Sequence, residues 1–315
     1  MLARIGNSLF WLGRYIERSE HLARYTKVQY ASSMDSPLAP SKEFVLESIL
    51  NMGGMYQSYL RKYPELTEDE VVHYVTIEEN NAFSVQSNIG YMRENARGAR
   101  DRISSELWEA INIFYHDINN YSAARLQYEG IHQFSHKVEG NSSVIKGFID
   151  NTLIRNEVWI LITLGIHLER AIQVALIMLN KVYDIAKLDP VNLGGPAESY
   201  QWAIMLKSAE SFDMYKRYHL KKKSSHSELD FLLFNKNFPK SLAYNLRKVQ
   251  QNIQKIAFHD QKGSDSIEFK AGKIASQFQY LTMAEVEGSL AGFLNETVAD
   301  LNNLAALLEQ KYLCF

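Results

Sequence analysis

The chain has 315 residues, of which 46% are hydrophobic and 22% charged, so it can bury a sizeable core and is neither a disordered tail nor a coiled-coil rod. Its net charge of -2 and pI near 6.5 exclude a general attraction to nucleic acid or to an anionic membrane. The single cysteine, Cys314, excludes an intrachain disulfide and a cysteine-based metal site, which suits a reducing, cytoplasmic setting.

Six prolines leave long stretches without a breaker, and helical periodicity runs almost throughout. The first helix is expected from Asn7 to Ser32, with Leu9, Leu12, Ile16 and Ala23 on one face. Arg4, Arg14, Glu17 and Arg18 interrupt its apolar run before a signal-peptide core could form. Pro37 and Pro40 end it, and a second helix follows from Lys42 to Tyr63. Thr67 reads as an N-cap, with Glu68, Asp69 and Glu70 in the first turn behind it.

A long helical region covers Ser84 to Asn119, with a break near Ser104 and Ser105. Another covers Tyr121 to Val138, and Gly140 and Asn141 punctuate before an apolar helix that ends near Lys187. Within that helix Val158 to Leu179 has the length of a membrane span. His167, Glu169, Arg170 and Gln173 sit at its centre, where each ionised group costs about 2.5 to 3.5 kcal/mol in a bilayer, so it reads as a buried helix and no membrane is expected. Asp189 to Pro196 is a linker. Helices are expected again at Ala197 to Leu220, Ser227 to Phe234, Lys240 to His259 and Met283 to Lys311. No segment alternates long enough for a strand, so the fold class is all-α, a multi-helix bundle.

An internal repeat shapes the reading. Leu12-Gly13-Arg14-Tyr15-Ile16-Glu17-Arg18 recurs as Leu164-Gly165-Ile166-His167-Leu168-Glu169-Arg170. Leu50, Tyr56, Tyr59 and Arg61 then match Leu206, Phe212, Tyr215 and Arg217, and Ser84, Val85 and Ile89 match Ser241, Leu242 and Leu246. The matches keep their order, which suggests two halves, about 1–140 and 141–315, sharing one core in a single domain.

In each repeat a glycine lies one turn before the glutamate on the same helix face, at a cost of about 1 kcal/mol in helix propensity. That implies another helix approaching closely there. Adjacent Glu and Arg point in different directions and cannot pair with each other. Glu169, set among apolar residues, therefore needs a facing arginine. The two Glu-Arg helices are expected to pack together and exchange partners. The result is either a buried ion-pair network that fixes register or a polar site for a small anionic or zwitterionic ligand.

A second charged constellation spans Glu94 to Glu109. Arg93, Arg97 and Arg100 fall at i, i+4 and i+7, with Glu94, Asp101, Glu106 and Glu109 around them. Such a row suits bidentate carboxylate or phosphate binding, and equally suits answering Glu17 and Glu169 in the core.

No phosphate-binding glycine loop, zincin motif or nucleophile elbow is present, so no nucleotide cofactor is expected. Glu129, His132 and His136 fall at i, i+3 and i+7, a spacing that three metal ligands could use and that an exposed polar face also produces. The basic run Lys221 to Lys223 reads as a helix end.

On Asn7 to Arg24, Glu94 to Asn112, Arg155 to Ala171 and Phe231 to Leu242, the chain resembles the bacterial alpha-E domain family, whose glutamate-arginine motif is matched by Glu17-Arg18 and Glu169-Arg170. The resemblance covers essentially the whole chain. Ile166 stands where an arginine matching Arg14 would be expected, and Lys240 replaces an arginine after proline. The resemblance implies encoding beside, or fusion to, a circularly permuted ATP-grasp protein, often with a transglutaminase-like protease nearby. The chain would then be the helical, non-ATP-binding partner of an amide-bond-forming or peptide-modifying system. In that role Glu17, Arg18, Glu169 and Arg170 organise the centre, and Arg97, Arg100, Asp101, Glu106 and Glu109 complete or line it. Two other readings stand beside this one: an enzyme in its own right, using the glutamates as acid and base, and a purely structural scaffold.

Overall fold

A computed structural model describes residues 2–33, 41–218, 226–256 and 263–313. The described residues are mostly helical, with no strand among them. The basic run at 221–223, the prolines at 37 and 40, and Cys314 lie outside them. In chain order the α-helices are α1 (Ala3–Ser32), α2 (Lys42–Met52), α3 (Tyr56–Leu60), α4 (Glu68–Thr76), α5 (Val85–Gly98), α6 (Ser105–Asn119), α7 (Ala123–Thr152) and α8 (Glu157–Ala186). They continue as α9 (Pro196–Ser208), α10 (Phe212–Tyr218), α11 (Ser227–Phe234), α12 (Leu242–Ile256), α13 (Ile267–Tyr280), α14 (Met283–Val286) and α15 (Leu290–Leu308), and a π-helical turn at Glu309–Leu313 follows.

The two long Glu-Arg helices form the axis. Gly13 faces Ile162, Arg18 reaches Glu169 and Asn180 reaches Tyr25, so α1 and α8 run side by side in the same direction. Both are buried on most of their circumference, which explains why α8 has the length and hydropathy of a membrane span: 83% of its most apolar window is buried inside the protein. The remaining helices wrap this pair. α5 and α7 lie on α1, while α12 and α15 lie on α8.

The glycines explain how the axis closes. A Cβ on Gly13 would stand 2.1 Å from the Ile162 carbonyl oxygen, and one on Gly165 would stand 2.1 Å from that of Phe10. Each helix therefore presses its glycine against the other's backbone, one turn before its own glutamate.

Helix boundaries depart from the sequence expectations in several places. The region from Lys42 to Tyr63 is two helices, because Gly54 takes a φ of +66° after α2. Similarly, α9 and α10 divide at Ala209 to Ser211, where Glu210 has a φ of +54°. Gly140 and Asn141 do not punctuate. α7 runs through them, anchored by buried Val138 and Ile145, and the break falls at 153–156, where Asn156 accepts a hydrogen bond from the Val158 N–H at 3.0 Å. Finally, α13 went unanticipated; Ser266 caps it by accepting from the Phe269 N–H.

Candidate functional site

The Glu-Arg centre is a reciprocal set of ion pairs between α1 and α8. Glu169 is fully buried and takes four donors: Arg14 Nε at 2.7 Å, Arg18 Nε at 2.8 Å and Nη2 at 3.1 Å, and Gln173 Nε2 at 2.8 Å. Glu17, also fully buried, takes Arg170 Nε at 2.9 Å and Nη2 at 2.5 Å, and Lys146 Nζ at 2.5 Å. The sequence asymmetry has a structural answer. Ile166 supplies no second arginine beside Arg170, and Lys146 from α7 supplies that charge in its place.

Aromatic rings cover the arginine side. The Arg14 guanidinium lies 4.3 Å from the Trp11 ring centroid and Arg18 lies 5.7 Å from it. A second tier continues along α1. Glu20 pairs with Arg24 at 2.6 Å and with Lys146, and stands 3.6 Å from Lys240. Arg24 and Lys240 both reach Glu210 at the α9–α10 break, at 3.2 and 3.0 Å.

Burial raises the Glu169 carboxyl, but Arg18 and Arg14 outweigh it and hold the pKa down to about 2. Burial likewise raises Glu17, and the charges of Arg170 and Lys146 bring it well below the ordinary carboxylate value. Both glutamates are ionised, sealed and saturated with donors. A carboxylate so placed is closed off from solvent, and its lowered pKa lies far from the range suited to moving protons near neutrality.

Sequence reasoning missed a further buried polar cluster on the same two helices. Lys181 is fully buried and donates to Gln29 at 3.0 Å, Asp184 at 2.7 Å and Gln201 at 3.1 Å. Asn180 donates to the Tyr25 hydroxyl and to Ser48. Lys181 and Asp184 at i, i+3 within an apolar helix were the available signal.

His21 is the least satisfied group in the centre. It is fully buried, its Nε2 stands 3.3 Å from Glu17 out of line for a hydrogen bond, and neither ring nitrogen has a partner. Burial pushes its pKa down to about 4, and burial followed by the Arg170 charge does the same for the half-buried His167. An unfolded histidine titrates near 6.5, so between that value and about 4 the unfolded chain binds more protons than the folded one. Stability is therefore full near neutrality and falls with pH across this window, by about 1.4 kcal/mol per pH unit for His21, with His167 adding in the same direction. Denaturant titrations at about pH 7 and about pH 5 check this, and His21→Gln should flatten the slope. Equal stability at the two pH values would contradict it.

The second constellation does not join the centre. α5 ends at Gly98, so Arg100 lies beyond the helix and the expected row of three arginines is not formed. Arg97 is 67% exposed and pairs only locally, with Glu94 at 2.5 Å. Asp101 pairs with its neighbour Arg102, Arg100 lies over Trp108, and Glu94, Glu106 and Glu109 are exposed. Neither Arg97 nor Arg100 answers Glu17 or Glu169. The metal candidate also fails. Gly130, with φ 75° and ψ 163°, breaks the helix between Glu129 and His132, which destroys the i, i+3, i+7 face. Glu129 is held instead by Tyr121, Arg125 and Lys137, while His132 and His136 point to solvent. No group of three such ligands occurs among the described residues.

With this geometry in view, comparison with known families is decisive. The sequence model of Alpha-E, described as a predicted alpha-helical domain with a conserved ER motif, matches residues 1–313. The chain belongs to the Alpha-E family. No curated protein and no solved structure matches it. In this Alpha-E chain the two Glu-Arg pairs are one interlocked clasp: each glutamate is neutralised by the arginine of the other pair.

Proposed function

We propose that this Alpha-E chain is the helical, non-ATP-binding component of a cytoplasmic, ATP-grasp-linked system that forms amide bonds or modifies peptides. In this reading the Glu-Arg clasp builds the scaffold and the outer surface meets the partner. One observation carries it. The 94–112 segment, among those on which the family resemblance rests, exposes most of its charged side chains at the α5–α6 connection, where they do little for the fold: Arg97 is 67% and Asp101 65% exposed. Side chains that neither pack nor brace the core are free to recognise another protein. The sealed clasp supports the same division of labour, because Glu17 and Glu169 cannot touch a substrate.

We further infer that the halves 1–140 and 141–315 share one helical plan. Ser84 and Ser241 each accept from an N–H three residues on, and Asn88 and Asn245 each donate back to the carbonyl four residues before. These matched caps begin α5 and α12, which flank α1 and α8 respectively.

The test mixes the purified chain with the circularly permuted ATP-grasp protein encoded beside it. Comigration in gel filtration, with ATP-dependent turnover only in the mixture, is the expected result. Arg97→Ala combined with Asp101→Ala should change stability by less than about 0.5 kcal/mol while weakening the association. Turnover by this chain alone, or no association at all, would overturn the reading.

A further inference from the structure

A cleft of about 330 Å³ opens beside the clasp, between the end of α7 and the flanks of α8 and α12. That size is in the range of small-molecule sites. Its charge is strongly one-sided: Lys146, Arg170, Lys248 and Lys255 line it against a single carboxylate, Asp150. Asp150 is already occupied, since it accepts from Arg155 Nη1 at 3.2 Å and from the Trp159 indole N–H at 3.3 Å.

The cations divide into two pairs. Lys146 and Arg170 belong to the clasp, yet Arg170 spends only its Nε–Nη2 edge on Glu17 and leaves Nη1 with a single long contact, 3.5 Å to the Pro239 carbonyl. Lys248 and Lys255 stand two turns apart on one face of α12, and no acidic side chain pairs with either among the described residues. Lys248 Nζ lies 5.6 Å from the Tyr244 ring centroid, and neither lysine neutralises a carboxylate of the fold among the described residues.

The other walls mix apolar surface with the polar side chains of Thr163, Gln251 and Asn252. Trp159 and Tyr244 supply rings, and Ile149 and Ile166 supply aliphatic surface. His167 adds one directed polar atom. Asn245 donates its amide to the Pro239 and Ser241 carbonyls, so its Oδ1 can only accept, and His167 Nδ1 at 2.8 Å must carry the ring proton. The lone pair is then on Nε2, ready to accept from a ligand N–H or O–H.

We propose that this cleft binds a small organic oxyanion, a carboxylate or a phosphate monoester, carried on a planar apolar body. The oxyanion meets Arg170 Nη1, Lys248 and Lys255, and the body lies against Trp159 and Tyr244. The proposal stands independently of any ATP-grasp partner.

The experiment titrates the purified chain with phenylacetate, phenyl phosphate and inorganic phosphate by calorimetry, and follows tryptophan emission in parallel. Saturable one-to-one binding of phenylacetate identifies a carboxylate site, and binding of phenyl phosphate alone identifies a phosphomonoester site; either supports the proposal. Lys248→Gln combined with Lys255→Gln should retain the melting temperature and weaken binding at least about tenfold. Added salt should weaken binding to the unaltered chain, a readout that needs no variant. Trp159→Phe should remove the emission change. The proposal fails if neither organic anion binds, if inorganic phosphate binds as tightly as phenyl phosphate, or if the double lysine variant binds as well as the parent.

Discussion

Replacing Gly13 or Gly165 with alanine is expected to destabilise the chain by about 3 kcal/mol each, against the sign that helix propensity alone would give. In an exposed helix the change would add about 1 kcal/mol of stability. Here each new Cβ would stand 2.1 Å from a carbonyl oxygen of the opposite helix, and the obstacle is backbone, which cannot turn aside as a side chain does. The helices must separate. Separation at Gly13 also stretches the pairing one turn on, where Glu17 meets Arg170 at 2.5 and 2.9 Å. The two substitutions should be strongly non-additive, because whichever is introduced first already opens the shared contact. Denaturant unfolding of both single variants and the double variant checks this. A stabilised Gly13→Ala would show that the close approach does not exist in solution.

The close approach was legible because glycine inside a long helix is locally unfavourable and therefore asks for a reason. Its repetition one turn before each glutamate told where the reason lay. The pattern of apolar positions was equally readable for α1 and α8, whose burial on nearly all sides leaves little ambiguity. Punctuation by glycine was the weaker signal. Gly140 lies exposed inside α7, where it costs propensity and nothing else, while Gly54 and Gly130 take positive φ and do interrupt. Composition cannot separate these cases, because the difference is in what packs around each residue. The π-helical turn at the end of the chain brings Glu309 to 3.4 Å from Arg14, a contact between residues far apart in sequence that no local pattern announces.

For the site, the sequence identified which glutamates needed partners but not all of the partners. Arg170 and Arg18 follow from the repeat. Lys146 does not, since it comes from α7 and fills the position left by Ile166 only in three dimensions. The Arg97 and Arg100 expectation failed for a related reason. Periodicity was extended past Gly98, where α5 stops, so a row that exists on paper is divided between a helix end and a turn. The basic cleft beside Arg170 was invisible for the same cause: Lys146, Lys248 and Lys255 have unremarkable local sequence and acquire meaning only when α7, α8 and α12 converge.

Glu169→Gln should cost about 3 kcal/mol, because it leaves the buried Arg14 guanidinium, and beside it the partly exposed one of Arg18, facing a neutral amide. The replacement cannot satisfy them. One of its two oxygens becomes an NH₂ group, which points donors at an arginine whichever way the amide turns, and Arg14, whose side chain is 6% exposed, cannot turn to water. Glu17→Gln should cost less. Neither of its cations is as closed in as Arg14: Lys146 is 20% exposed and already shared with Glu20, and Arg170 borders the open cleft. If the clasp is structural, the loss comes from stranded charge and not from a missing reaction. Replacing Glu169, Arg14 and Arg18 together with methionine removes the stranded charge and should recover most of the stability lost in Glu169→Gln. Urea unfolding of the three variants beside the parent measures this order, with partner binding at a temperature where each is folded as the second readout. A Glu169→Gln chain that unfolds within about 0.5 kcal/mol of the parent but no longer supports turnover in the mixture would instead make the clasp a working site, and the scaffold reading would fall.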